Sequence, residues 1–138
     1  MNIEQIVEEM KYFEPERQND SLKIIIPVVI HIAGGLLELR ISPAENGYKI
    51  SNTLDYYDLD EIIFTNGNIF YDFNEEAAYY VNLFENNEKH YHFDIRYDYE
   101  KEEFSKTYPD NFNINVALSE FAKFFIYLDD YIKENNLT

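Results

Sequence analysis

Apolar residues recur along this chain with two periods, and each period predicts a different element. Ile3, Ile6, Val7 and Met10 form one stripe at helical spacing, so residues 2–13 are expected to be a helix, with Asn2 as cap and Gln5 three residues on. "FEPERQNDS" is a polar break containing Pro15. "LKIIIPVVIHIAGG" follows as a strand whose near-continuous apolar run predicts cover on both faces. Pro27 lacks a ladder donor, which puts that strand at a sheet edge or gives it a bulge. In "LLELRIS", Leu37, Leu39 and Ile41 alternate with Glu38, Arg40 and Ser42. Tyr48 and Ile50 carry the parity on after "PAENG", where Pro43 and Gly47 suit a hairpin turn.

Farther on, "LDYYDLDEIIF" reads as a short helix and "NGNIFYDF" as a turn leading into a short strand. "NEEAAYYVNLF" reads as a helix capped by Asn74, with Ala77, Tyr80, Val81 and Phe84 facing inward. After the loop "KEEFSKTYPDN", a long helix is expected from Ile114 to Ile132, its core stripe being Ile114, Ala117, Leu118, Phe121, Phe125, Leu128 and Ile132. Its reverse side carries Val116, Ile126 and Tyr127. Either the helix is buried on two sides, or those three residues meet a second copy in a homodimer. Together the elements predict one α+β domain over residues 1–138. It has an antiparallel sheet of about four to five strands and about three to four helices, the long C-terminal helix packed on the sheet.

"HYHFDIRYDY" alternates most regularly. Tyr91, Phe93, Ile95, Tyr97 and Tyr99 share one parity; His90, His92, Asp94, Arg96 and Asp98 share the other. A half-buried strand with an aromatic inner face is expected. On its outer side His90, His92 and Asp94 would stand at ~7 Å intervals, and two histidines with a carboxylate can bind a first-row metal. Arg96 follows on the same side, however, and His31 lies in an apolar run, so the expectation is a solvated strand face with no metal.

Charge changes the picture more than any motif. There are 27 acids against 11 bases, a net charge of −16. Contacts to nucleic-acid phosphates or to an anionic membrane need Lys and Arg, so direct binding to either is disfavoured and a basic partner is favoured. Cys is absent, which removes disulfides, thiolate metal sites and a cysteine nucleophile. "MNIEQIVEEM" is acidic and amphipathic, the wrong chemistry for a targeting peptide, and no apolar run approaches the ~20 residues a bilayer needs, so a cytoplasmic protein is expected.

Catalytic motifs do not assemble. "DYYDLDE" puts Tyr57, Leu59 and Asp60 where a calcium loop wants two oxygen ligands and a glycine. Gly34 and Gly35 lead into a strand and so do not open a phosphate-binding helix, and "PD" at 109–110 is not followed by an acid-x-Lys strand. No nucleophile elbow, P-loop or zinc-protease motif is present, and no cofactor is expected.

What stands out is a gap. From Lys49 to Lys89 there is no Lys or Arg across 39 residues, yet that interval carries nine acids. Uncompensated carboxylates spaced ~5–7 Å apart on helices or strands approach the charge spacing of a nucleic-acid backbone. Tyr56, Tyr57, Tyr71, Tyr79 and Tyr80 interleave with them, and tyrosine supplies contact area at low entropic cost. The partner-binding set expected is Asp55, Tyr56, Tyr57, Asp58, Asp60, Glu61, Asp72, Glu75, Glu76, Tyr79, Tyr80, Glu85 and Glu88. The same pattern also fits solvated helix faces with tyrosines half-buried beneath them, which need no partner.

In its acidity and its wealth of Asn, Ile and Tyr, the chain resembles small proteins encoded by phages and mobile elements of low-GC bacteria. "LLELRISPAENGYKISNTLDYYDLDE" looks like a phage-associated domain family of unknown function, in which a hairpin ending in "YKIS" leads to an acid-rich segment. The resemblance implies a defence or counter-defence setting, where anti-CRISPR and anti-restriction proteins are often acidic DNA mimics. The expected function is therefore inhibition of a nucleic-acid-handling effector in a bacterial cytoplasm. An immunity protein against a basic toxin, or an enzyme with a dispersed site, are the alternatives.

Overall fold

Six antiparallel strands form one sheet in the order β1-β2-β3-β4-β6-β5, in a computed structural model that describes residues 3–30, 35–52, 85, 92–98, 101 and 103–134. In chain order the elements are α1 (Ile3–Glu9), a 3-10 turn (Lys11–Phe13), β1 (Glu16–Gln18), β2 (Ser21–Ile30), β3 (Gly35–Ala44), β4 (Gly47–Asn52), β5 (Arg96–Asp98), β6 (Glu103–Pro109) and α2 (Ile114–Glu134). This is an α+β fold with two α-helices among the described residues. The further helices expected at 54–64 and 74–84, and the strand expected at 66–73, lie outside them.

Alternation in β2 and β3 puts Leu22, Ile24, Ile26, Ile30, Leu37, Leu39 and Ile41 into the core, where Tyr48, Ile50, Phe104 and Tyr108 continue the inner face across β4 and β6. Helix α2 lies against this face. Its stripe of Ile114, Ala117, Leu118, Phe121, Phe125 and Leu128 is buried as expected, and Phe124 joins it. Phe104 is the hub, with ring centroids 4.7 Å from Tyr97, 5.3 Å from Phe124 and 5.2 Å from Phe125. Such tilted and edge-on pairs add ~0.5–1.5 kcal/mol each beyond area burial. Ile6 and Met10 bring α1 into the same core.

Several expectations are corrected. The sheet has six strands, not four to five, because β1 and β6 form where a polar break and a loop were expected. Short β1 turns back on β2 through Asn19, whose left-handed φ of 56° a polar Asn adopts at little cost. Strand β6 escaped notice because a lysine, Lys106, holds an inward position between Phe104 and Tyr108. Strand β2 is covered on one face only: Ile25 is 45% exposed and Val29 75%, because its alternate residues face away from both helices. Strand β1 pairs only with Ser21–Lys23, so where Pro27 stands β2 is paired in the sheet with β3 alone, and the register also shifts there, between Ile26 and Val29, as expected of a proline that lacks a ladder donor. On the reverse side of α2, Tyr127 stacks on Phe93 at 5.7 Å and is half-buried, while Val116 and Ile126 are exposed. The helix is therefore not buried on two sides.

Candidate functional site

Twelve of the thirteen residues expected to bind a partner, from Asp55 to Glu88, lie outside the described residues; Glu85 alone is described, helical and exposed. The structure describes the strands on either side of it: β4 ends at Asn52 and β5 begins at Arg96. Both β4 and β5 run antiparallel to β6, so they are parallel to each other with β6 between them. Asn52 and Tyr97 pair with the same residue, Phe104, from its two sides. Asn52 and Tyr97 thus stand two strand spacings apart, ~10 Å, on either side of buried Phe104.

Each anchor has its own chemistry. Asn52 is buried and donates from Nδ2 to the Glu38 carbonyl oxygen at 2.8 Å, which ties the end of β4 to β3. Next to it Ser51, 2% exposed, faces Ser105. The Lys49 ammonium reaches along this face to Glu103 at 2.8 Å, bridging past the serine pair.

The returning end is irregular. His92 and Asp94 both have left-handed backbones, with φ of 54° and 58°. Of the ladder expected over residues 90–99, the described residues 92–95 are not strand and Arg96–Asp98 are; 90, 91 and 99 lie outside the described residues. Inside-outside alternation survives the irregularity: Phe93 and Ile95 are buried while His92, Asp94 and Arg96 are exposed. Among the described residues no three His, Asp or Glu side chains are grouped to hold a metal ion.

Left-handed conformation costs ~1–2 kcal/mol at a residue with a Cβ, so two such residues flanking Phe93 need support. Phe93 supplies part of it, packing edge-on against Phe124 at 5.9 Å and stacking on Tyr127. The rest comes from a polar cluster that sequence reasoning missed. Lys106 Nζ donates to the Phe93 carbonyl oxygen at 3.0 Å and to Glu120 Oε2 at 3.1 Å, and lies 5.0 Å from the centre of the Tyr108 ring. Tyr108 Oη donates to Glu120 Oε1 at 3.2 Å. Burial first, and then the Glu120 charge and hydrogen bond, push the Tyr108 phenol far above its ordinary range. The signal in the sequence was a lone lysine at inward parity between two aromatics, but its carboxylate partner stands on another element, 14 residues away.

Bases elsewhere are also matched locally. Lys11 pairs with Glu8, Arg17 with Glu4, Lys23 with Glu16 and Glu38, and Arg96 with Asp94. The Gln18 amide, followed by Lys23, holds the Glu16 carboxyl below its usual range. Lys49 and Lys106 pair with Glu103 and Glu120 as described above. A shallow depression lined by Gln5, Glu8, Glu9 and Asn111 holds carboxylates and amides but no nucleophile or base pair suited to catalysis. No described helix is long and apolar enough to cross a membrane.

Set against protein-family models, curated proteins and solved structures, the chain matches none of them.

Proposed function

We propose that this chain is an inhibitor of a nucleic-acid-handling protein, of anti-CRISPR or anti-restriction type, and that it occupies a basic groove with its acid- and tyrosine-rich interval, Asp55 to Glu88. One observation carries the reading: nine acids and no base across 39 residues. One feature supports it. The described strands on either side of the interval, β4 ending at Asn52 and β5 beginning at Arg96, both pair with β6, and an interaction surface bracketed by a fixed sheet loses less conformational entropy on binding than a free tail does. Clustered carboxylates attract a basic partner at long range and speed encounter. Asp58, Asp60 and Glu61 supply the charge, and Tyr56, Tyr57, Tyr79 and Tyr80 the contact area.

Immobilised protein, exposed to a bacterial lysate at low salt and eluted with a salt gradient, tests this. The expected eluate contains a nucleic-acid-binding protein whose affinity falls steeply with salt and which nucleic acid displaces. The combined variant Asp58→Lys, Asp60→Lys, Glu61→Lys is expected to lose capture and inhibition together. Binding indifferent to both salt and charge reversal would falsify the reading, and a small basic toxin in the eluate would reassign the same surface to immunity.

A further inference from the structure

We infer that the Lys106–Glu120–Tyr108 cluster is a latch: it holds the stretch 92–95, with its left-handed His92 and Asp94, and so fixes how the chain enters β5. Lys106 is in contact with Phe93, Glu120 and Tyr108. Its ammonium donates to the Phe93 carbonyl at 3.0 Å, is neutralised by Glu120 on α2 at 3.1 Å, and is covered by the Tyr108 ring. The side chain is 21% exposed and that of Glu120 29%, so water competes weakly for either group. Tyr108 orients the carboxylate through its own hydrogen bond, at 3.2 Å. The position is costly by ordinary packing rules. An inward site between Phe104 and Tyr108, opposite Ile50, suits an aliphatic side chain. A lysine there puts its ammonium onto the carbonyl that lies between two left-handed residues, His92 and Asp94. Its role is therefore one of positioning: it acts on the entry to β5 through the backbone at Phe93.

Backbone hydrogen exchange of the whole chain tests the latch without any partner. Lys106→Met keeps the apolar stem and removes the donor. It is expected to speed exchange over residues 92–98 by about ten- to a hundredfold while leaving the amides of Ile24, Leu39 and Ile41 unchanged. Lys106→Arg, which retains donors for both acceptors, is expected to keep the protection. Unchanged exchange over 92–98 in Lys106→Met would mean that the stem alone matters, and a uniform rise across β2 and β3 would mean general destabilisation; either result overturns the latch. Should Lys106→Met fail to fold, Glu120→Gln carries the test, with the same local acceleration expected and its absence equally decisive.

A link to binding rests on the function proposed above. With a captured partner in hand, Lys106→Met is expected to weaken binding at least tenfold although no acid of the interval is altered. Local loosening in a chain that captures no partner sinks the proposed function and leaves the latch standing; intact protection in a chain that captures its partner does the reverse.

Discussion

Gly47 lies so close to the backbone of Tyr108 that a β-carbon there would overlap the Tyr108 carbonyl oxygen and stand 3.0 Å from its carbonyl carbon. The obstacle is main chain in a paired strand, which cannot rotate away as a side chain would. Gly47→Ala is therefore expected to push β4 off β6 at this end and to destabilise the protein by ~1–3 kcal/mol, the range typical of overpacking. Urea unfolding measures it; a midpoint within error of the parent would show that the two strands stand farther apart than this.

Alkali should weaken the fold through Tyr108. Its phenol is held protonated in the folded state well above the ordinary value of 10.0, chiefly by burial. Below pH ~10 neither state ionises and the group contributes nothing to the pH dependence. Above it the unfolded chain loses the proton while the folded one keeps it, so stability falls as pH rises, by at most ~1.4 kcal/mol per unit for this group. Tyr48, raised mainly by burial and then by Asp110, acts in the same direction. Tyr108→Phe is expected to flatten the decline between pH 10 and 11, as seen in thermal melts.

His92 has a left-handed backbone and an exposed ring, a position where glycine costs less than any residue with a β-carbon. His92→Gly is expected to leave stability unchanged or to raise it by up to ~1 kcal/mol, the gain in native backbone offsetting the extra freedom of the unfolded chain. A loss greater than 1 kcal/mol, read from denaturant midpoints, would mean that the imidazole itself stabilises the turn.

Asn113 caps α2. Its Oδ1 accepts from the amides of Asn115 at 3.0 Å and Val116 at 3.1 Å, satisfying two of the donors a helix start leaves open. Asn113→Ala is expected to cost ~0.5–2 kcal/mol and Asn113→Asp to be nearly neutral, by the same midpoint shifts.

Strands β3 and β4 and helix α2 were legible because their core-facing apolar positions repeat at one period and decide register by burial; β2 was legible as a strand from its apolar run, but that run hid which face is open. Pro27 announced a disturbance at its own position, and the register shift beside it agrees. Strand β6 was hidden by Lys106, whose inward site makes sense only once Glu120 is brought across from α2; local pattern carries no trace of such a partner. Burial in 92–98 was legible but backbone shape was not, since Phe93 and Ile95 point inward by parity whether the chain is extended or passes through left-handed residues. Of the candidate site, the sequence displayed the charge imbalance in full. It could not show that Asn52 and Tyr97 flank Phe104 from opposite sides, because this depends on strand order.

Strand order also sets a timetable for synthesis. Strand β6, which sits between β4 and β5, is completed at Pro109, 57 residues after β4 ends at Asn52. At the ~5–20 residues per second of translation, the growing edge of the β1–β4 meander waits ~3–11 s on the ribosome for its neighbour. Helix α2, the lid over the hydrophobic face, emerges later still. Until β6 is made, the edge of β4 from Gly47 to Asn52 lacks the hydrogen-bonding neighbour it has in the folded protein, and an unpaired edge is a template for another chain.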